Sequence, residues 1–237
     1  MTNPHPLDRP VWSMLTGKQS HLAVGDEHAL RLAPDFGIFA AAADASAMSV
    51  AALEHLVPAD GAIATVGLSE PSPGPRVSAE SHVIWQMMCE QLTQTCESPT
   101  FAIRQLSSHD APQMLALATL TRPGPFFART HELGDFVGVL DDSGSLLAMA
   151  GERMKLDGFT EVSGVCTAPA SRARGYAGAL MRVVASAILA RGEVPFLHTY
   201  AHNTGAIALY EALGFRLRRE LTMTVLTLPQ PSRGPKM

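Results

Sequence analysis

Between residues 165 and 181 the chain reads VCTAPASRARGYAGALM. Apolar residues lead in, a Pro/Ser/Arg/Gly knot follows, and an Ala/Leu/Met run leads out. A strand must therefore turn almost directly into a helix at this point. The first turn of such a helix carries free backbone N–H groups and about half a unit of positive charge, so it attracts anions. Gly175 and Gly178 lack a Cβ and Ala177 carries only a methyl, which lets a phosphate come close to the main chain. Arg172 and Arg174 can add charge-assisted hydrogen bonds. Residues Arg172, Ala173, Arg174, Gly175, Tyr176, Ala177 and Gly178 thus have the makings of a diphosphate cradle. The segment is neither a Walker loop nor a dinucleotide fingerprint, since GxxxxGK[ST] and GxGxxG are both missing. The plain alternative is a helix start with a convenient glycine.

The neighbouring residues supply strands and helices on either side. FAIRQL (101–106) predicts a strand, and SSHDAPQMLALATL a helix opened by Ser107 or Ser108. TRPGPFFARTHELG forms a Pro/Gly loop leading to a short helix. FVGVLDD and SLLAMAGERMKL form a hairpin turning at Ser143–Gly144, and FTEVSGVCT is a further strand. Ala177, Leu180, Met181, Val184, Ala187 and Ile188 make one helical stripe. VPFLHTY predicts a strand, NTGAIALYEAL a helix stopped by Gly214, and FRLRREL and TMTVLTL two closing strands. The expected fold is a mixed α/β (α+β) sheet with helices on both faces.

Upstream, HLAVG, ALRLA, GIFAAAAD and AIATVGL predict short strands, and SAMSVAALEHLV a helix with Ser46 as its N-cap. HVIWQMMCEQL fits strand or helix. The Pro/Ser/Gly-rich stretch 69–81 punctuates this half. The expected organisation is an N-terminal α/β segment over 1–97, a main domain over 98–230 and a flexible tail over 231–237.

A formal charge of −4 offers no global attraction for nucleic acid or anionic membrane. No run approaches the ~18 consecutive apolar residues of a membrane span. The opening MTNPHPLDRP is no secretory signal, and three cysteines without a CxxC pair argue against disulfides or a zinc knuckle. A cytoplasmic protein that binds neither nucleic acid nor membrane is expected. His198 and His202 share an HxxxH spacing without the HExxH glutamate, so no metal is expected.

Pro169 with Arg172-x-x-Gly175-x-Ala177 resembles the acetyl-CoA signature of the GNAT N-acetyltransferase superfamily. NTGAIALYEALGF (203–215) is similar to that superfamily's last helix, with Asn at its start and Tyr one turn before Gly-Phe. The combined segment 195–215 is closest to the glycine N-acyltransferase-like branch, and residues 1–97 would be a degenerate half of the same fold. The resemblance covers roughly 98–228. It implies acetyl-CoA as co-substrate, a small-molecule amine or amino acid as acceptor, and direct attack in a ternary complex. It gives the main chain of Val165, Cys166 and Thr167 to the pantetheine and thioester, Arg172 to Gly178 to the pyrophosphate, and Asn203 to the cofactor as well as to a helix cap.

Tyr210 would protonate the departing thiolate, since thiols near pKa ~8.5 and phenols near ~10 exchange a proton readily within hydrogen-bond reach. The acceptor amine must itself lose a proton, and Glu161 is the candidate base, with Glu152, His198 or water as alternatives. Cys166 is a possible nucleophile for a ping-pong route or simply a buried thiol. Phe126 and Phe127 would give the acceptor apolar contact or plug the core. The N-terminal segment would cover one edge of the site or form a homodimer contact. A catalytically silent CoA-binding sensor or scaffold is the alternative to an enzyme.

Overall fold

A computed structural model of the protein describes residues 5–229 except 69–73, 75 and 95–98. The tail over 231–237 and residues 69–73 and 75 of the Pro/Ser/Gly stretch lie outside the described residues. In chain order the elements are α1 (Pro10–Thr16), β1 (Ala23–Gly25), β2 (Ala29–Leu32), β3 (Ala40–Ala42), α2 (Ala47–His55), β4 (Ile63–Gly67), β5 (Ser78–Met88) and β6 (Arg104–Gln105). Then follow α3 (Ala111–Thr121), β7 (Phe136–Leu140), β8 (Leu146–Leu156), β9 (Phe159–Thr167), α4 (Tyr176–Ala190), β10 (Val194–Tyr200), α5 (Thr204–Leu213) and β11 (Arg216–Thr227).

Local chemistry sets the boundaries. The Ser46 hydroxyl accepts the Ser49 N–H at the start of α2, and a Ser107–Asp110 capping box precedes α3. Asn203 accepts the Ala206 N–H to open α5, and Gly214, at φ 109°, ends it. Asp141 Oδ1 accepts the N–H groups of Ser143 and Ser145, each at 2.9 Å, and so turns β7 into β8.

β1, β2 and β3 form a small antiparallel sheet. The other strands form one eight-stranded sheet in the order β4-β11-β5-β10-β9-β8-β7-β6, in which only β9 and β10 run parallel. Alternation along the strands sends Met87 and Leu197 to one face and Ile84 and Phe196 to the other. The first face meets α4, with Leu180, Met181, Val184 and Ile188 in a shared core. The second is covered by the N-terminal segment through Leu7, Val11, Met14, Phe36 and Phe39. α3 packs on β8 and β9, with Met114 and Leu117 against Met149 and Cys166.

Three expectations change. The boundary at residue 97 does not divide the main sheet, because β4 and β5 from the first segment pair with β10 and β11. β5 is exposed along its first half and buried on both faces only around Gln86 and Met87, so its residues carry no clean alternation by which the sequence could have separated strand from helix. The two strands expected at the end are one, β11, with only a register shift between Leu217 and Arg219. Finally, the strand over 101–106 shrinks to Arg104–Gln105 at the sheet edge.

Candidate active site

β9 and β10 are paired only over Val194↔Phe159, Pro195↔Thr160 and Phe196↔Glu161. Beyond Phe196 the two strands part, and their facing main-chain groups have no partner in each other. A cavity of about 730 Å³ opens there, lined by Val165, Cys166 and Thr167 of β9 and by Leu197 to Tyr200 of β10. Every residue that the sequence nominates for the cofactor borders it: Val165, Cys166, Thr167, the run from Arg172 to Gly178, and Asn203. Tyr210 and Glu161 border it too.

The cradle is a short irregular turn. Ala173 at φ 59° and Gly175 at φ 77° both take the left-handed conformation immediately before α4. Alternating left- and right-handed residues turn successive N–H groups toward one concavity, which suits an anion. A Cβ at Gly178 would sit 3.3 Å from Leu209 Cδ1, so that glycine also lets α5 approach α4. Neither Arg172 nor Arg174 forms an ion pair among the described residues, and both are exposed. The arrangement fits the diphosphate end of an acyl-CoA.

Asn203 holds its expected cap, with Oδ1 3.4 Å from the Ala206 N–H. Tyr210, on α5, packs its ring 6.3 Å from that of Phe215, and its hydroxyl has no hydrogen-bond partner among the described residues. Burial raises its phenol pKa, so it carries its proton at neutral pH. Burial also pushes the Cys166 thiol up to about 11 against a hydrogen bond with Thr121, which leaves it a poor nucleophile.

Glu161 is wholly buried, with both oxygens engaged. Arg153 Nε donates to Oε2 at 2.8 Å and Nη2 to Oε1 at 2.9 Å, while His198 Nδ1 lies 2.9 Å from Oε1. Burial alone would raise its pKa, but the Arg153 charge and the hydrogen bonds outweigh it and hold the carboxyl at about 2. Such a carboxylate is a weak base. The role expected for Glu161 is corrected to that of an anchor for its two neighbours. Glu152 does not border the cavity; it is bound to Arg191 at 2.7 Å and Lys155 at 3.0 Å.

The anchor belongs to a longer row. Gln86 Nε2 donates to His198 Nε2 at 3.1 Å and to the Leu7 carbonyl at 2.9 Å, while Arg218 Nη1 donates to Gln86 Oε1 at 2.9 Å. Arg218 Nη2 in turn donates to Asp8 Oδ1 at 2.8 Å. Arg153, Glu161, His198, Gln86 and Arg218 sit one per strand on five adjacent strands, β8, β9, β10, β5 and β11. The Arg218 and Leu7 contacts fix the Gln86 amide, so His198 Nε2 must accept and Nδ1 must carry the hydrogen. Sequence reasoning missed Arg153, Gln86 and Arg218, because nothing in their local spacing links them.

On the acceptor side the structure decides between the two expectations for the loop phenylalanines. Arg122, Pro123, Gly124 and Pro125 of the Pro/Gly loop border the cavity, but Phe126 and Phe127 do not. Phe126 packs edge-on to Phe136 at 5.8 Å and plugs the core. The opposite wall comes from Ile38, Phe39 and Val66, so the N-terminal segment covers the site. His202 stacks on Tyr200 at 5.3 Å, while His198 is held between Glu161 and Gln86. Among the described residues no three His, Cys, Asp or Glu side chains gather as a metal site requires, and no helix is long and apolar enough to cross a membrane.

The mixed sheet is split between its two parallel strands, and the turn at Ala173 and Gly175 opens the helix that follows. The family model for FR47-like protein matches residues 136–224. A GNAT-family protein from Novosphingobium aromaticivorans is 44% identical, with 95% of this chain and 100% of that chain covered and a TM-score of 0.88. The chain belongs to the GNAT family of acetyltransferases. A GCN5-related N-acetyltransferase from Kribbella flavida shares the fold at 19% identity, covering 94% of this chain and 95% of its own, with a TM-score of 0.64. A GCN5-related N-acetyltransferase-like protein from Streptococcus suis does so at 16% identity, covering 95% and 94%, with a TM-score of 0.58. No curated protein matches the chain. The likeness therefore holds for the superfamily and does not single out a glycine N-acyltransferase-like branch.

Proposed function

We propose that this protein transfers an acetyl group from acetyl-CoA to a small-molecule amine by direct attack in a ternary complex. The observation that carries this reading is the parting of β9 and β10 beyond Phe196, which leaves two strand edges facing a cavity with the cradle on its rim and Tyr210 on its wall. An extended pantetheine arm can pair with such an edge as an added strand would. Main-chain N–H groups of 165–167 then supply donors for the thioester oxygen as it gains negative charge. The amine nitrogen attacks the carbonyl carbon and the C–S bond breaks. The thiolate takes the Tyr210 proton, and the phenolate is reprotonated from solvent. With Glu161 fixed as a carboxylate, the proton lost by the amine passes to water.

The raised thiol of Cys166 speaks against a ping-pong route. Thiol release from acetyl-CoA, measured against a panel of amines, tests the activity. Ternary-complex kinetics with intersecting lines are expected, and parallel lines or acetylated protein would refute direct attack. A protein that binds CoA tightly yet acetylates no amine would instead be the silent sensor.

A further inference from the structure

Four guanidinium groups border the cavity, those of Arg122, Arg153, Arg172 and Arg174, against one carboxylate, Glu161. The cradle pair serves the cofactor's phosphates in the reading above. Arg122 and Arg153 remain for the acceptor half, and Glu161 is already consumed by Arg153 and His198.

Arg153 spends only one edge of its guanidinium, Nε with Nη2, on Glu161. Its Nη1 donates to no group among the described residues, so the Nη1/Nη2 fork is open. That fork is held still: the guanidinium lies 4.6 Å above the Phe39 ring, and Glu161 is itself tied into the row that runs to Arg218. The Arg153 side chain is only 11% exposed. Donors half-dried in this way gain more from a ligand oxygen than donors in open water, and a planar fork matches a carboxylate in two parallel bonds. The same cavity is lined by Ile38, Phe39, Val66, Ile84, Met223 and Val225, which belong to one apolar cluster and offer contact without charge.

Resting on the acyl-transfer reading, we propose that the acceptor is a free amino acid with an apolar side chain, its carboxylate on the outer fork of Arg153 and its side chain among those apolar residues. Polyamines and aminoglycosides suit the cavity badly, because they would bring further positive charge to a lining whose single carboxylate is taken.

The test compares thiol release with L-leucine, L-leucinamide, 3-methylbutylamine and spermidine, each at equal free-base concentration. For the intact protein, kcat/KM for leucine is expected to exceed that for leucinamide by roughly 10- to 100-fold, the range for a charge-assisted pair, with spermidine lowest. Arg153→Lys keeps the charge beside Glu161 but loses the fork, and should cut that ratio severalfold. The double change Arg153→Met with Glu161→Gln, which leaves no lone buried charge, should bring it to about 1. Equal rates for leucine and leucinamide, a preference for spermidine, or a ratio that survives the double change would overturn the proposal.

A second measurement needs no turnover. Calorimetry on the CoA-loaded protein should show N-acetyl-L-leucine binding more tightly than its amide by the same factor. Should that preference appear while no amine is acetylated, the acyl-transfer reading falls and the carboxylate site stands. Should carboxylate-free amines be acetylated as well as leucine, the activity stands and this inference falls.

Discussion

Residues 162–178 build one side of the cavity from a single run of chain, in which β9 leads through the turn at Ala173 and Gly175 into α4. The facing side draws on Ile38, Phe39 and Val66 near one end of the chain and on Met223 and Val225 near the other, with β5 threaded between β10 and β11. The first region depends on backbone conformation, so its residues are small or special in φ. The second depends on packing and on a polar row that crosses five strands. A contiguous turn tolerates changes elsewhere in the molecule, whereas an assembled wall fails when any distant contributor is lost.

Substitutions can break that contrast. The largest effect is expected in the assembled region. Glu161→Gln strips the buried Arg153 of its counter-charge and should cost about 3 kcal/mol of stability at neutral pH, read by denaturant unfolding. The Glu161 pKa falls on folding from an ordinary 4.5 to about 2, so its contribution is fully present above pH 4.5 and is lost as pH falls toward 2. The stability gap between the two proteins should close across that window, and a gap that persists at pH 2 would refute the ion pair. The shape of the pH–rate profile above pH 5 should be unchanged in this variant, because the carboxylate is no base.

In the contiguous region, Gly175→Asp sets a carboxylate against the diphosphate and should weaken CoA binding by about 100-fold, with about 1 kcal/mol of stability lost to the left-handed backbone at φ 77°. Undiminished affinity by calorimetry would move the cradle elsewhere. Tyr210→Phe should lower kcat by roughly 10- to 100-fold, the usual worth of a general acid, while CoA affinity holds. An unchanged kcat would take the acid role from this residue. Smallest of all, Asp8→Asn at the outer end of the polar row removes partly exposed ion pairs with Arg218 and Arg219 and should cost less than ~1 kcal/mol. A larger loss would mean that the N-terminal segment is held to the sheet chiefly through that end.

The strand–turn–helix around Gly175 was legible in the sequence because its residues are neighbours and its demands are stereochemical. Gly175, the strand before it and the helix after it are visible without any distant contact. Asn203 and Gly214 were legible on the same grounds, as a cap and a stop. Glu161 was found by its position on β9 but was given the wrong task, since its burial and its Arg153 partner belong to the sheet and not to the local spacing. Phe126 and Phe127 were open to two readings, acceptor contact or core plug, and the structure takes the second for Phe126, which packs beside Phe136.

By itself the sequence determined the strand–turn–helix of 162–178, the capped helices and the family, all of which rest on interactions spanning only a few residues. Tertiary structure alone decided that β5 enters the sheet between β10 and β11, that Phe39 roofs Arg153, and that Gln86 fixes the tautomer of His198. Those features join residues far apart in the chain, and only long-range packing, which no local pattern encodes, brings them within reach of one another.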